Sequence, residues 1–512
     1  MSLQPPNQDK QPLPETGSNV GPDDPPLAGI PLDKTEALPD SEGVIRSGKL
    51  AGKSMWAAIW ILALPVLLQQ TMAATLGLTD QIFAGGLPDE VVVPALDGLG
   101  IGAFIGWFIG IAMTGLGIGG QALIARAMGA GNIGEGELAL GQAISLSLVW
   151  GVFIGIVLWW SAPILAAMCL LSPEANRYCV QYIQILSYSM PFCAIMMVGA
   201  MCLHGAGETI KPSVIAIGVN VVNILVSWAL SGTDIRFGET VLVNPFSFDL
   251  HVIGIALGTA MSYACGGALT LYILWRGVKD LRLYPRSLRI QGSMIRRIVR
   301  VGVPNFFEGI SMWAVNMFIL MIIGWIALNG DESEGLQGAH IIAIRWESFS
   351  FLPGFAIGTA AGALAGQYLG AGNPRLAQRS ILACTAIASV IMSLLGVLFM
   401  FGGYWLTSIV SDKAVHLHHT PNLLFICGTM QVFFAITMVM RQGLRGVGDT
   451  RWTFIITTVS SYGVRLPAAY LLGVTFEMGL EGIWYALCGE FFVRALLFSA
   501  RFFHGGWKRI KI

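Results

Sequence analysis

Charged residues are scarce in this sequence. Of its 512 residues, only 12% are charged and 54% are hydrophobic, whereas about 25% of the residues in an ordinary soluble protein are charged. A soluble globule of this length could not cover its surface with so few charged side chains. The composition therefore excludes an ordinary soluble protein.

Motifs for enzymes, metal sites and nucleic-acid binding are also missing. The eight cysteines are scattered, without a CxxC pair or a Cys/His spacing typical of metal sites. No HExxH, GxSxG or GxxxxGK[ST] motif occurs. The net charge is zero, and no basic face is available for nucleic acid. We therefore expect no enzyme, no cofactor, no metal site and no nucleic-acid partner.

Long apolar runs follow one another along most of the chain. Because a helix needs about 20 apolar residues to cross a bilayer, the chain has room for roughly twelve spans. The 63 glycines suit membrane helices that pack closely. The sequence predicts an all-α polytopic membrane protein. The predicted helices are 56–84, 96–125, 138–168, 180–204, 212–231, 251–275, 302–328, 338–367, 378–410, 421–444, 452–474 and 481–503.

Lysine and arginine are unevenly distributed among the connections between these helices. One alternate set of connections, with the segment 276–300 and the C-terminus, carries most of them, while the opposite set holds only Arg177, Arg236 and Lys413. The positive-inside rule places the basic connections in the cytoplasm. An even number of helices then places both termini there, and we expect a multi-pass protein of the inner (plasma) membrane.

The first 48 residues differ from the rest, being rich in proline and polar residues. They lack the features of a signal peptide, so we expect a disordered cytoplasmic tail. The predicted organisation is then a tail 1–48, a six-helix lobe 49–275, a basic cytoplasmic linker 276–300, a second six-helix lobe 301–505 and a cytoplasmic C-terminus 506–512.

Two short motifs recur in the second half of the chain. Gly129-Ala-Gly-Asn132 recurs as Gly370-Ala-Gly-Asn373, and Gly205-Ala-Gly-Glu-Thr209 recurs at the same offset as Gly446-Val-Gly-Asp-Thr450. Each half therefore contains six helices. Because six is even, both halves enter the membrane in the same direction, as in transporters built from parallel repeats.

These motifs identify a family resemblance. The stretch Asp80-Gln-Ile-Phe-Ala-Gly85, the repeated motifs and later patterns such as Phe351-Leu-Pro-Gly354 and Arg465-Leu-Pro467 resemble the multidrug and toxic compound extrusion (MATE) family over residues 50–505. The resemblance implies two lobes in a V and export of bulky, often cationic organic compounds in exchange for sodium ions or protons.

Other functions remain as alternatives. A lipid-linked oligosaccharide flippase of the same wider superfamily is the main alternative to drug antiport. A channel or receptor would explain the helix count but not the repeated helix-end motifs. The expected partners are a small organic substrate and the lipid bilayer, and we expect a functional monomer.

Asp80 is the main candidate for ion coupling. A carboxylate in hydrocarbon is costly and persists mainly in a polar cavity or with a partner, so we expect Asp80 to bind and release a proton or sodium ion. It also matches the family's first-helix aspartate. The alternative is that Asp80 is solvated near the outer mouth. We favour protons as the coupling ion.

Polar residues of the fifth and sixth helices are the expected surroundings of Asp80. Asn220 and Asn223 share a helix face and could offer carbonyl oxygens to sodium or hydrogen bonds to Asp80. Thr259 matches a family position that can line the same site. Where one branch of the family has a second acid, this chain has Ser227, which puts sodium binding in doubt.

Glu308 is the candidate in the second half. It lies four residues after Pro304, and other branches of the family use an acid in this helix for cation binding, at a different spacing. Glu490 and Arg494 are spaced to form a structural ion pair within one helix.

Overall fold

The structure is a computed structural model that describes residues 45, 49–168, 172–237, 240–246, 248–329, 335–411 and 413–510. Apart from residue 45, the predicted tail 1–48 lies outside the described residues. Almost all of the described chain is helical, and its helices form the two predicted lobes.

The first lobe contains six long helices. A two-stranded hairpin, β1 (Ile235–Phe237) and β2 (Thr240–Leu242), which the sequence analysis did not predict, connects the fifth and sixth helices with Ile235 paired to Leu242. The helices are α1 (Met55–Gly85), α2 (Asp89–Ala130), α3 (Ile133–Met168), α4 (Pro173–Gly205), α5 (Ile210–Ser231) and α6 (His251–Arg276).

The second lobe repeats this arrangement with two irregular spans. Two π-helical segments, Ser461–Arg465 and Leu471–Thr475, interrupt the span that begins at α12. The helices are α7 (Gly292–Asn329), α8 (Leu336–Gly370), α9 (Pro374–Val410), α10 (Ala414–Thr429), α11 (Gln431–Gly446), α12 (Thr450–Ser460), α13 (Leu466–Tyr470) and α14 (Gly479–His504).

The number of spans agrees with the prediction. Among the described residues, ten helices are long and apolar enough to cross a membrane, and α10 with α11 forms one more span, bent by 58°. The helical run from Thr450 to Thr475 stands at the place of the predicted helix 452–474, so the count is roughly consistent with twelve. The single helix predicted at 421–444 is therefore a bent pair of helices.

The segment predicted as the linker 276–300 is partly helical. A 3₁₀ turn (Pro285–Leu288) lies in it, and α7 begins at Gly292 rather than near 302. The reason is that Met294 and Ile298, one helical turn apart, are buried in the core of the first lobe. The sequence analysis did not recognise this apolar face, because arginines alternate with the apolar residues in the first part of α7.

The repeated motifs are the places where helices end. The third residue of each motif is a glycine in the left-handed conformation that ends a helix without a Cβ clash: Gly131 (φ 75°), Gly207 (φ 79°), Gly372 (φ 81°) and Gly448 (φ 87°). Each motif thus lies at the same end of its lobe. We call this end, where most of the basic connections lie, the basic side.

The first glycine of each motif brings two helices together. A side chain at Gly129 would collide with the backbone of Gln367 in α8, and one at Gly370 would collide with the backbone of Arg126 in α2. The contact is reciprocal because Arg126 and Gln367 are equivalent positions of the repeat. The lobes are thus related by a pseudo-twofold axis that passes between α2 and α8, as a parallel repeat requires.

Hydrogen bonds between the lobes lie at the basic side, while apolar contacts continue to the middle of α2 and α7, where Gly309 packs against Ile111. Arg126 donates hydrogen bonds to the carbonyl oxygens of Val447 (2.8 Å) and Ile510, and the Gln367 amide donates to the Gly205 carbonyl (2.8 Å). Each lobe also has a buried apolar core built from its own helices. The hydrogen-bonded junction of the two lobes therefore lies at the basic side.

Candidate functional site

Asp80 is buried in the last third of α1, where only 4% of its surface is exposed. Three side chains from three other helices donate hydrogen bonds to its carboxylate. They are the Tyr182 hydroxyl of α4 (2.8 Å), the Thr259 hydroxyl of α6 (2.8 and 3.0 Å to the two oxygens) and the Asn223 amide of α5 (3.2 Å). All three donors are uncharged. We call these four residues the Asp80 site.

Small residues allow the helices to approach closely around this site. A side chain at Gly102 of α2 would occupy the position of the Tyr182 ring, and one at Gly258 of α6 would collide with Ser227 of α5. The close contact of α5 and α6 places Thr259 beside Asn223, whose amide also donates to the Thr259 hydroxyl (2.9 Å). Asn223 and Thr259 therefore form a connected chain of hydrogen bonds that ends on the carboxylate.

Two buried polar atoms of α5 have no hydrogen-bond partner among the described residues. Among the described residues, neither the Asn223 side-chain oxygen nor the Ser227 hydroxyl, both buried, has a hydrogen-bond partner. The Asn223 amide presents its donor side to Asp80 and its acceptor side elsewhere. In this arrangement the site is built from donors around one carboxylate, rather than from several oxygens that converge on a cation. No group of three or more acids, histidines or cysteines that could hold a metal occurs in the described chain.

The Asp80 site opens into a cavity of about 210 Å³. A second cavity of about 180 Å³, which contains Met196 and Met197, shares Ala73, Leu76 and Tyr263 with the first. The first lobe therefore has a buried acid beside an apolar cavity with flexible methionine walls.

Asn220 lies in the wall of this second cavity rather than on Asp80. Its side-chain oxygen accepts a hydrogen bond from Thr75 (3.0 Å), and its amide donates to the carbonyl oxygen of Met72 (2.9 Å). The structure therefore brings Asp80, Asn223 and Thr259 together and leaves Asn220 a helical turn away from them.

Glu308 is buried in the other lobe and is held by two arginines. Its oxygens lie 2.7 Å from Arg445 and 3.8 Å from Arg441, and they accept hydrogen bonds from Thr457 (2.8 Å) and Thr453 (3.2 Å). Its carboxylate is thus matched by positive charge, unlike that of Asp80.

The predicted pair of Glu490 and Arg494 is present at 2.6 Å, and Arg465 adds a second partner at 3.0 Å. Sequence reasoning missed the role of Arg465, and it also missed Tyr182 as a donor to Asp80. Both contacts join distant helices: Arg465 stood in the Arg465-Leu-Pro467 pattern, which did not indicate its ion pair, and no local pattern marked Tyr182.

Comparisons with known proteins agree with this arrangement. The MatE family model matches residues 65–229 and 304–471, one match in each lobe. The chain is 27% identical over 456 residues to a "Probable multidrug resistance protein NorM" of Thermotoga maritima, which covers 88% of this chain and 92% of that protein. It is 28% identical over 433 residues to the "Multidrug resistance protein PmpM" of Pseudomonas aeruginosa, with 83% and 86% covered.

Solved structures share the fold. A MOP superfamily transporter from Pyrococcus furiosus superposes with a TM-score of 0.80 at 19% identity, covering 93% of this chain and 100% of that one. A crystal structure of MATE in the bent conformation gives a TM-score of 0.78 at 19% identity, covering 88% and 96%. These matches extend over both lobes.

Proposed function

The chain belongs to the MatE family, and we propose that it is a secondary antiporter that exports organic, mainly cationic amphipathic compounds in exchange for protons. The observation that carries this proposal is the buried Asp80 carboxylate, which has hydrogen-bond donors but no arginine or lysine partner among the described residues. A carboxylate in such a place needs a proton or a cation to neutralise it.

The donor set favours a proton over a sodium ion. Sodium needs several oxygen ligands at once, whereas the Asn223 amide and the two hydroxyl groups of the site donate to the carboxylate. Ser227 stands where a second acid would strengthen a cation site. Sodium remains the alternative coupling ion, and an experiment can separate the two.

The neighbouring cavity suits an amphipathic substrate. Met196 and Met197 can adapt to different shapes, because methionine is flexible and polarisable, and Asn220 and Tyr263 add polar edges. A cationic compound in this cavity is attracted by the Asp80 carboxylate, and a proton on the same carboxylate removes that attraction. Each ligand therefore lowers the affinity for the other, which is the requirement for exchange.

The junction of the lobes supports alternating access. If the basic side faces the cytoplasm, as the positive-inside rule indicates, the contacts of Arg126 and Gln367 close the cytoplasmic end. The conformation described here then faces outward, and it is the one that releases substrate and takes up protons. Both termini would lie in the cytoplasm of a bacterial cell.

The decisive experiment uses proteoliposomes loaded with a fluorescent organic cation. A proton gradient directed inward and a sodium gradient directed inward are imposed separately on the wild type, on Asp80→Asn and on Asp97→Asn. Asp97 is the matched control, because it is an exposed aspartate in the first part of α2. We expect proton-driven efflux in the wild type and in Asp97→Asn, and none in Asp80→Asn.

Other outcomes would contradict the proposal in distinct ways. Efflux driven only by the sodium gradient would show that sodium, and not the proton, is the coupling ion. Full coupling in Asp80→Asn would show that the coupling residue lies outside the Asp80 site. Glu308→Gln would then be the next variant to measure. If the folded wild type moves no cation under either gradient, drug antiport is refuted and the lipid-linked oligosaccharide flippase becomes the better candidate.

A further inference from the structure

The second lobe contains a cavity that the proposed antiport does not use. It has a volume of about 220 Å³ and lies between α7, α8, α11, the π-helical segment Ser461–Arg465 and α14. Arg441, Arg465 and Arg494 contribute to its wall, and Glu347 is the acid among the residues that line it. We call this space the second-lobe cavity.

The charges around this cavity do not cancel. Glu490 pairs with Arg465 (3.0 Å) and Arg494 (2.6 Å), so one carboxylate is shared by two guanidinium groups. Even with Glu347 ionised, positive charges outnumber negative ones, and a proton on Glu347 would increase the excess. The charged residues of this cluster are the arginines Arg441, Arg445, Arg465 and Arg494, and the glutamates Glu308, Glu347 and Glu490.

Arg441 is the least neutralised of these arginines. Its ion-pair distance to Glu308 is 3.8 Å, while Arg445 holds the same carboxylate at 2.7 Å. Within the described chain, the buried Nε atoms of Arg441 and of Arg465 have no hydrogen-bond partner. Arg465 is 97% buried, with 3% of its surface exposed, and it also lines the cavity. Arginine side chains with incomplete hydrogen bonding therefore lie beside this cavity.

His340 does not add to the positive charge in this arrangement. The Trp484 indole donates a hydrogen bond to Nδ1 of His340 (3.0 Å), so this nitrogen is an acceptor and the imidazole is neutral. The same bond holds the Trp484 ring in the cavity wall. The excess charge is thus carried by the arginines.

Excess positive charge away from water is costly unless an anion pairs with it. We propose that the second-lobe cavity binds an aromatic organic anion, whose carboxylate pairs with Arg441. Arginine suits this role because its planar guanidinium group can donate two parallel hydrogen bonds to a carboxylate.

The rest of the cavity wall favours an aromatic ligand over a small inorganic anion. Phe351, Phe434, Phe491 and Trp484 line it, and the rings of Phe434 and Phe491 are stacked with centroids 4.4 Å apart. An aromatic ligand can pack against this apolar part of the wall while its carboxylate reaches Arg441. A chloride ion would gain the charge interaction but would leave this apolar surface uncovered.

The proposal is tested by ligand binding to the purified full chain, so it does not depend on transport or on the Asp80 site. Benzoate is titrated by calorimetry, with benzamide as the neutral analogue and chloride as the inorganic anion. Arg441→Gln is compared with Arg375→Gln, since Arg375 is an exposed arginine at the start of α9. We expect the wild type and Arg375→Gln to bind benzoate, and Arg441→Gln to bind it about tenfold more weakly or worse.

Three results would overturn the proposal. They are equal benzoate affinity in wild type and folded Arg441→Gln, equal affinity for benzoate and benzamide, and binding of chloride with no tighter binding of benzoate. If Arg441→Gln does not fold, Glu347→Gln decides the question, because it removes a negative charge and breaks no ion pair described above. At mildly alkaline pH this variant should bind benzoate more tightly than the wild type, and unchanged or weaker binding would refute the site.

Discussion

The junction at the basic side should depend strongly on Arg126. This side chain donates to the carbonyl oxygens of Val447 and Ile510, so Arg126→Ala removes two hydrogen bonds that join the first lobe to the second. At about 1 kcal/mol for each bond, the separated state of the lobes gains about 2 kcal/mol. This corresponds to about a 30-fold increase in the population with a separated junction.

Hydrogen–deuterium exchange of the purified protein measures this effect. The amides of 205–211 and 446–451, which follow α4 and α11 at the junction, should exchange faster in Arg126→Ala. Amides around the Asp80 site should be unaffected, and Arg375→Ala should match the wild type throughout because its side chain is exposed. Unchanged exchange at both junction segments in folded Arg126→Ala would refute the role of these bonds.

Three further predictions follow from the contacts described above. Thr259→Val removes a donor to the Asp80 carboxylate and should slow proton-driven efflux by about tenfold in the proteoliposome assay, whereas an unchanged rate would contradict its role. Gly129→Ala places a methyl group against the backbone of α8 and should cost about 1–3 kcal/mol in thermal unfolding, while Gly134→Ala, which meets nothing within 4 Å, serves as the control. Glu490→Gln leaves two buried arginines without their partner and should lower the free energy of unfolding by about 3 kcal/mol or more. Glu135→Gln, which removes a partly exposed ion pair, should lower it by less than about 1 kcal/mol. Similar losses of stability in the two variants would contradict this prediction.

Sequence reasoning was most successful where the determinants are local. Apolar runs located the spans, and the repeated motifs predicted that the halves are parallel, because each motif contains the glycine that ends a helix. The bend between α10 and α11 was not predicted, since no proline lies at the break near Met430. The start of α7 was misplaced because its buried face becomes recognisable only against the first lobe.

The candidate site was predictable only in part. The cost of a buried acid identified Asp80, and helix spacing with the family resemblance added Asn223 and Thr259. Tyr182 is separated from Asp80 by 102 positions, and its approach depends on the absence of a side chain at Gly102. This contact depends on how three helices, α1, α2 and α4, pack together, and no single stretch of sequence specifies that packing.

The two lobes share their junction but differ in their buried charges, and this difference separates the candidates for coupling. Asp80 has only neutral donors, so a proton on it changes the net charge of its cavity without breaking an ion pair. A proton on Glu308 would leave Arg445 and Arg441 uncompensated, which opposes its titration. A repeated fold can thus hold one acid free to exchange its proton and another with a fixed charge, and we expect Asp80 to carry the coupling while Glu308 stabilises the second lobe.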